Sequence, residues 1–165
     1  MSFRNFLQLQ IACILLVVGT ATSGQSSAMS SGYDAPAQVI LKDGVPCFFA
    51  TIAGDDKVSQ YKSFEVRVNR GEKVWHIYDD RGLAPMPSSV EQCIKYGDNW
   101  PTGKVLKEAS PLKYAVPYRA DIGTKYLFRV AFCLSKNTSG QSLLTKWAKD
   151  GDHCTDVPLN ETNKP

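Results

Sequence analysis

The stretch "KYLFRVAFCLS" (residues 125–135) alternates without a break. Tyr126, Phe128, Val130, Phe132 and Leu134 fall on one side, and Arg129, Ala131 and Cys133 on the other. Extended backbone points successive side chains to opposite faces, whereas a helix would space its apolar residues near 3.6. The stretch is a strand with one apolar face, and the same period runs outward from it. "QVIL" (38–41) ends in the turn "KDG" (42–44), and "PCFFATI" (46–52) restarts as a strand. "FEVRV" (64–68) sets Phe64, Val66 and Val68 against Glu65 and Arg67, and the turn "NRGE" (69–72) leads into "KVWHIYD" (73–79). "KYAVPYRA" (113–120) is a further half-buried pattern, in which Pro117 cannot donate to a ladder and marks an edge strand or a bulge. The turn "DIGT" (121–124) follows, then the long strand, the loop "KNTSGQ" (136–141) and a last strand "SLLTKWA" (142–148). No segment carries a helical period, and no internal repeat occurs. Short strands joined by Gly-bearing turns predict an all-β chain: a small antiparallel β-sandwich, Ig-like or barrel-like, over residues 37–158.

Residues 79–110 break this pattern. "LAPMPSSVEQCIKYGDNWPTGKVLKEASP" (83–111) holds four of the nine prolines and one short strand-like piece around "CIKYG". A connection this long and irregular is more often functional than incidental. Leu83, Met86 and Trp100 lie in it beside stiffening prolines, with Arg81 near its start. Rigid loops that present Trp, Met and Arg suit protein recognition, because little entropy is lost on binding. These four residues are the expected partner-binding set. The competing expectation is that the same side chains fold back and cap one end of the sandwich.

The amino terminus has the order of a secretory signal. Arg4 gives a basic start, Ile11 to Gly19 is an apolar core, and Thr20 to Gly24 is small and weakly polar. The core is about half the roughly 20 residues a membrane span needs, so no stable membrane insertion is expected. Cys13 lies at the front edge of this apolar run, most of which follows it instead of preceding it, with Gln10 where a lipidation motif is usually aliphatic, and reads as a passenger instead of a lipid anchor. Residues 1–24 are thus expected to be a cleaved signal, with cleavage between Ser23 and Ala28. Residues 25–36, rich in Ser and Gly, read as a flexible tether, and 159–165 as a disordered tail.

Four cysteines remain after cleavage: Cys47, Cys93, Cys133 and Cys154. An even number in an exported chain, with no close Cys or His pair, reads as two disulfides and no metal site. Cys133 shares its side of the strand with Arg129 and Ala131, away from the apolar stripe, where a bridge across the sandwich to Cys47 is hard to make. The carboxy-terminal segment can fold over that outer face. The expected pairs are Cys133–Cys154 and, by elimination, Cys47–Cys93.

The formal charge is +3, and loss of Arg4 with the signal leaves +2, too balanced to argue for nucleic acid or an anionic membrane. No nucleophile elbow, zinc-binding helix or phosphate loop is present. His76 sits on a strand and His153 in a polar segment. The acidic pairs Asp55-Asp56 and Asp79-Asp80, and Asp150 with Asp152, read as solvated turns before they read as calcium or catalytic carboxylates. Catalytic residues, cofactors and metals are therefore not expected. A small secreted hydrolase using these carboxylates, or a carbohydrate-binding or structural envelope module using Trp75, Trp100 and Trp147, are the rival readings. The tripeptides at Asn137 and Asn160 would be glycosylation acceptors only in a eukaryotic secretory pathway.

The order "KDGVPCFF", "VWHI", a proline-rich loop into "EQCIKYG", then "PLKYAVPYRA", "YLFRVAFCLS" and a last cysteine resembles the immunity proteins of type VI secretion systems, a family of periplasmic lipoproteins. The resemblance covers residues 39–154. It implies a β-rich periplasmic protein that binds and blocks a toxic effector delivered by neighbouring cells, such effectors attacking phospholipids or peptidoglycan. The chain departs from the family at the lipidation motif. No effector-binding residue carries over, since the shared motifs are scaffold.

Overall fold

Alternation of the kind seen in residues 125–135 needs partners on both sides of each strand, and the computed structural model supplies them. It describes residues 34–51, 60–98, 100, 102–124 and 126–159. These lie in a compact unit, Ser31–Pro165. Residues 1–33 (the expected signal and Cys13 among them), Asp55-Asp56 and the residues beyond Leu159 lie outside the described residues.

The strands are β1 (Asp34–Pro36), β2 (Gln38–Lys42), β3 (Val45–Phe49), β4 (Gln60–Tyr61), β5 (Ser63–Val68), β6 (Lys73–Tyr78), β7 (Ala84–Pro85), β8 (Ile94–Lys95), β9 (Lys104–Lys107), β10 (Pro117–Gly123), β11 (Leu127–Lys136), β12 (Ser142–Trp147) and β13 (Cys154–Pro158). The large sheet runs β13-β12-β11-β10-β5-β6-β9, with β1 beside β11; a second sheet is β2-β3-β8, and β4 pairs with β7. Every ladder is antiparallel except β1 on β11. Among the described residues there is no helix. The fold is all-β, as the period of two requires.

The register puts the apolar stripes on one face. Phe64 pairs with Ile77 and Ile122, Val66 with Trp75 and Ala120, and Phe132 with Tyr118. All of these are buried. The second sheet closes over them through Phe48, whose ring lies 5.2 Å from Phe64 and 5.4 Å from Phe132. Trp75 meets Phe64 edge-on at 5.0 Å and Tyr96 at 5.1 Å, extending the core toward residues 79–110. Burying an aromatic side chain of this size contributes on the order of 4 kcal/mol by area.

Both disulfides form as parity required, Cys47–Cys93 and Cys133–Cys154. Phe132 and Leu134 enter the core cluster, and Cys133 between them does not. The β11–β12 ladder ends at Cys133 and Thr145, and a bulge follows before Trp147 pairs with Cys154. That irregularity lets β13 reach the Cys133 side of the sheet, where Trp147 Nε1 donates to the Phe132 carbonyl at 3.0 Å. Two disulfides fit an oxidising compartment. Among the described residues no helix is long and apolar enough to cross a membrane.

Several expectations shift. Pro117 does not mark an edge or a bulge: β10 is central, between β11 and β5. Pro117 is the first residue of β10, a position where a missing N–H is tolerated. "DIG" belongs to β10, so the turn falls after it. β7 and β9 form inside the segment read as nearly strandless, β13 follows the strand read as last, and pairing begins at Asp34, inside the segment read as a tether.

Candidate functional site

The connection from β6 to β10 is built from its first residue. Asp79 follows Tyr78, and its backbone N–H donates to the Lys62 carbonyl at 2.7 Å. Its side chain is fully buried and accepts bonds from the N–H groups of Arg81, Leu83 and Ala84 at 3.0–3.1 Å and from the Thr102 hydroxyl at 3.0 Å. Burial works to raise the Asp79 pKa, but the bonds from Thr102, Leu83, Arg81 and Ala84 outweigh it and hold the carboxyl below its ordinary value. The turn closes at Gly82, whose φ of 61° suits glycine.

Further fastenings follow along the chain. β7 pairs with β4, and the Pro87 carbonyl accepts the Ala50 N–H at 2.9 Å. Cys93 is tied to β3, and β8 pairs with β3 beside it. The Tyr96 hydroxyl donates to the Ser110 carbonyl at 2.6 Å. Trp100 stacks on Tyr61 with ring centroids 3.9 Å apart. Gly103 passes so close to β6 that a Cβ there would sit 3.1 Å from the Tyr78 carbonyl oxygen. The segment is irregular in shape but fixed in place.

The four expected contact residues separate. Arg81 is exposed, and Leu83, at 51% exposure, points away from the core. Met86 is a correction: at 5% exposure it is part of the core and is not presented to a partner. Trp100 is half-buried, packed on the core and on Tyr61, so it shapes the surface more than it projects from it. Val90 is exposed alongside Leu83. A cavity of about 260 Å³ opens between the connection and the large sheet, with Tyr61, Ile77, Ile94 and Trp100 on its walls and Asp98 and Thr102 supplying polar atoms.

The rival chemistry finds different surroundings. Trp75 is fully buried and Trp147 half-buried, so the three tryptophans do not form one exposed aromatic platform. Asp79 is no solvated turn residue; its carboxylate is consumed by four donors. His153 lies 3.4 Å from Asp150, and Asp152 3.2 Å from Arg70, all exposed. His76 is half-buried, and burial, then the neighbouring Lys73 charge, lower its pKa. No group of three or more potential metal ligands occurs among the described residues.

No protein-family model, curated protein or solved structure matches this chain. What the connection can do follows from its construction alone. It is a surface carrying Arg81, Leu83 and Val90, held by the Asp79 carboxylate, the Cys47–Cys93 bridge and the stack of Trp100 on Tyr61. The organising role of Asp79 was missed in the sequence; an Asp at a strand end followed by "DRG" is the pattern of a side chain capping its own turn.

Proposed function

We propose that the chain is an exported binding protein that occludes a toxic protein effector, in the manner of the type VI secretion immunity proteins it resembles in residues 39–154. The observation that carries this reading is the fixed geometry of residues 79–110. A surface held by a buried carboxylate, a disulfide and an aromatic stack loses little entropy on docking, which is what tight inhibition by occlusion needs. Arg81 and Leu83 are the contact residues of this surface, and Trp100, stacked on Tyr61, helps hold the segment that carries them.

The site of action is the periplasm, reached by a signal cleaved between Ser23 and Ala28. Mass spectrometry of protein from the envelope fraction should find a mature amino terminus in that interval; a diacylated Cys13 would replace the soluble address with a lipid anchor. The functional test mixes the purified mature protein with the toxin encoded beside its gene. Inhibition should be complete at one equivalent and independent of incubation time. Inhibition that grows with time at substoichiometric protein would overturn occlusion and reveal turnover.

A further inference from the structure

The outward face of the large sheet carries an arrangement that neither the core nor the contact pair Arg81 and Leu83 uses. Across β9, β6, β5, β10 and β11, cross-strand partners form rows. One row runs Lys107, His76, Glu65, Asp121, Arg129, and the next runs Lys73, Arg67, Arg119. Lys104 and the exposed Tyr78 pair beside them. Among the described side chains of these five strands, the face holds six basic residues (Arg67, Lys73, Lys104, Lys107, Arg119, Arg129) and two acidic ones (Glu65, Asp121). Its excess of four exceeds the +2 that remains after loss of Arg4, so the rest of the mature chain carries a net charge of −2.

The two signs lie at different depths. The Asp121 side chain is 6% exposed and takes Arg119 at 3.1 Å and Arg129 at 2.8 Å. The Glu65 side chain is 15% exposed and takes Lys73 at 2.7 Å and Arg67. The basic partners stay 29–38% exposed, so they form the outer layer. Arg67 and Arg119 stand directly opposite on neighbouring strands, a placement that destabilises a sheet. Arg67 Nε is buried with no hydrogen-bond partner. A cationic row kept against these costs, with its forks held by sunken carboxylates, is a preorganised site for anions.

We infer that this face docks an acidic protein surface, one presenting a row of Asp or Glu side chains. Successive strands set Lys73, Arg67 and Arg119 about 5 Å apart, a spacing that carboxylates on adjacent strands or helix turns can match. Glu65 and Asp121, interleaved with the cations, disfavour a polyphosphate or sulfated chain, which needs an unbroken basic track. Tyr78 at the margin suits a protein interface. The inference does not depend on the identity of the toxin or on contacts by Arg81 and Leu83, although Lys104 and Lys107 stand in β9, within residues 79–110.

The probe is labelled poly-L-glutamate, titrated into the mature protein at low salt and followed by anisotropy, with side-chain Nε–Hε NMR signals of Arg67 and Arg119 locating the contact. Binding should shift those signals and weaken with salt. Lys104→Glu/Lys107→Glu, at exposed positions with no ion pair among the described residues, should weaken it about fivefold or more without changing the melting temperature. Arg119→Gln, which leaves Arg129 on Asp121, should do the same. Lys113→Glu, exposed and off this face, should leave binding intact. The inference is overturned by absent binding, by equal weakening from Lys113→Glu, by unshifted arginine signals, or by heparin or phosphatidylglycerol vesicles binding where polyglutamate does not.

Discussion

Asp79 shows how one side chain can set a surface. Its carboxylate satisfies three backbone donors and a hydroxyl that would otherwise be left in a water-poor pocket. Asp79→Asn replaces an acceptor oxygen with a donor facing N–H groups, so it should lower the melting temperature and, on the proposed function, weaken effector binding with it. The acid limit of stability has the same origin. Asp79 and Glu65 both have lowered folded pKa values, so each contributes stability above its unfolded value near 4 and loses it as pH falls through the folded one. His76 adds an earlier loss of the same sign. Its folded pKa is lowered, so the unfolded chain binds the extra proton first and stability declines as pH drops below about 6.5. Melting temperature against pH should therefore fall in two stages, the first flattened by His76→Gln and the second lessened by Asp79→Asn. A melting temperature constant from pH 7 to 5 would contradict the His76 assignment.

At the scale of elements, the two disulfides do unequal work. Cys133–Cys154 closes 21 residues and Cys47–Cys93 closes 46, for which chain entropy gives about 3 and about 4 kcal/mol. Replacing either pair by serine should lower stability by roughly those amounts in denaturant unfolding. Only loss of Cys47–Cys93 should also weaken effector binding, because only that bridge ties residues 79–110 to β3. Trp100→Ala should lower stability by about 2 kcal/mol, less than for a fully buried aromatic, because Trp100 is half-buried on Tyr61. An unchanged melting temperature would instead make it a contact residue alone. The strands with a sustained apolar face, such as β5 and β11, were legible in the sequence, and so was the pairing of Cys133, which needs only its parity in β11; β13, five residues with no apolar stripe, was not. β7 and β9 were not: two residues, or four with lysines at both ends, carry no period of their own and become strands because β4 and β6 are there to pair with. Met86 illustrates the same limit, since a Met between prolines reads alike whether it faces in or out.

For the molecule as a whole, cooperativity hinges on the second sheet. β2, β3 and β8 bury little by themselves; they are joined to the large sheet by Phe48, inserted between Phe64 and Phe132, and by Val39 and Ala50 in the same core. Residues 79–110 are anchored to both sheets, through Cys93 to β3 and through β9 to β6. If the sheets could part, that surface would lose its shape before either sheet unfolded, and a rigid binder would become a loose one. Phe48→Ala removes the central ring and should cost about 3–5 kcal/mol, the usual range for a buried Phe. The loss should be shared, because Phe48 touches rings from β5 and β11 at once. Near-ultraviolet dichroism and tryptophan fluorescence should therefore report one coincident transition in the wild type, and one again, lower, in Phe48→Ala. In a Trp100→Phe background, Trp75 and Trp147 make the fluorescence a reporter of the large sheet, whereas hydrogen exchange at β2 and β3 follows the other. Early exchange in β2 and β3 of Phe48→Ala, with Trp75 still native, would mean the sheets are separable and that residues 79–110 stay attached to β3 through the Cys47–Cys93 bridge while β9 keeps them on β6.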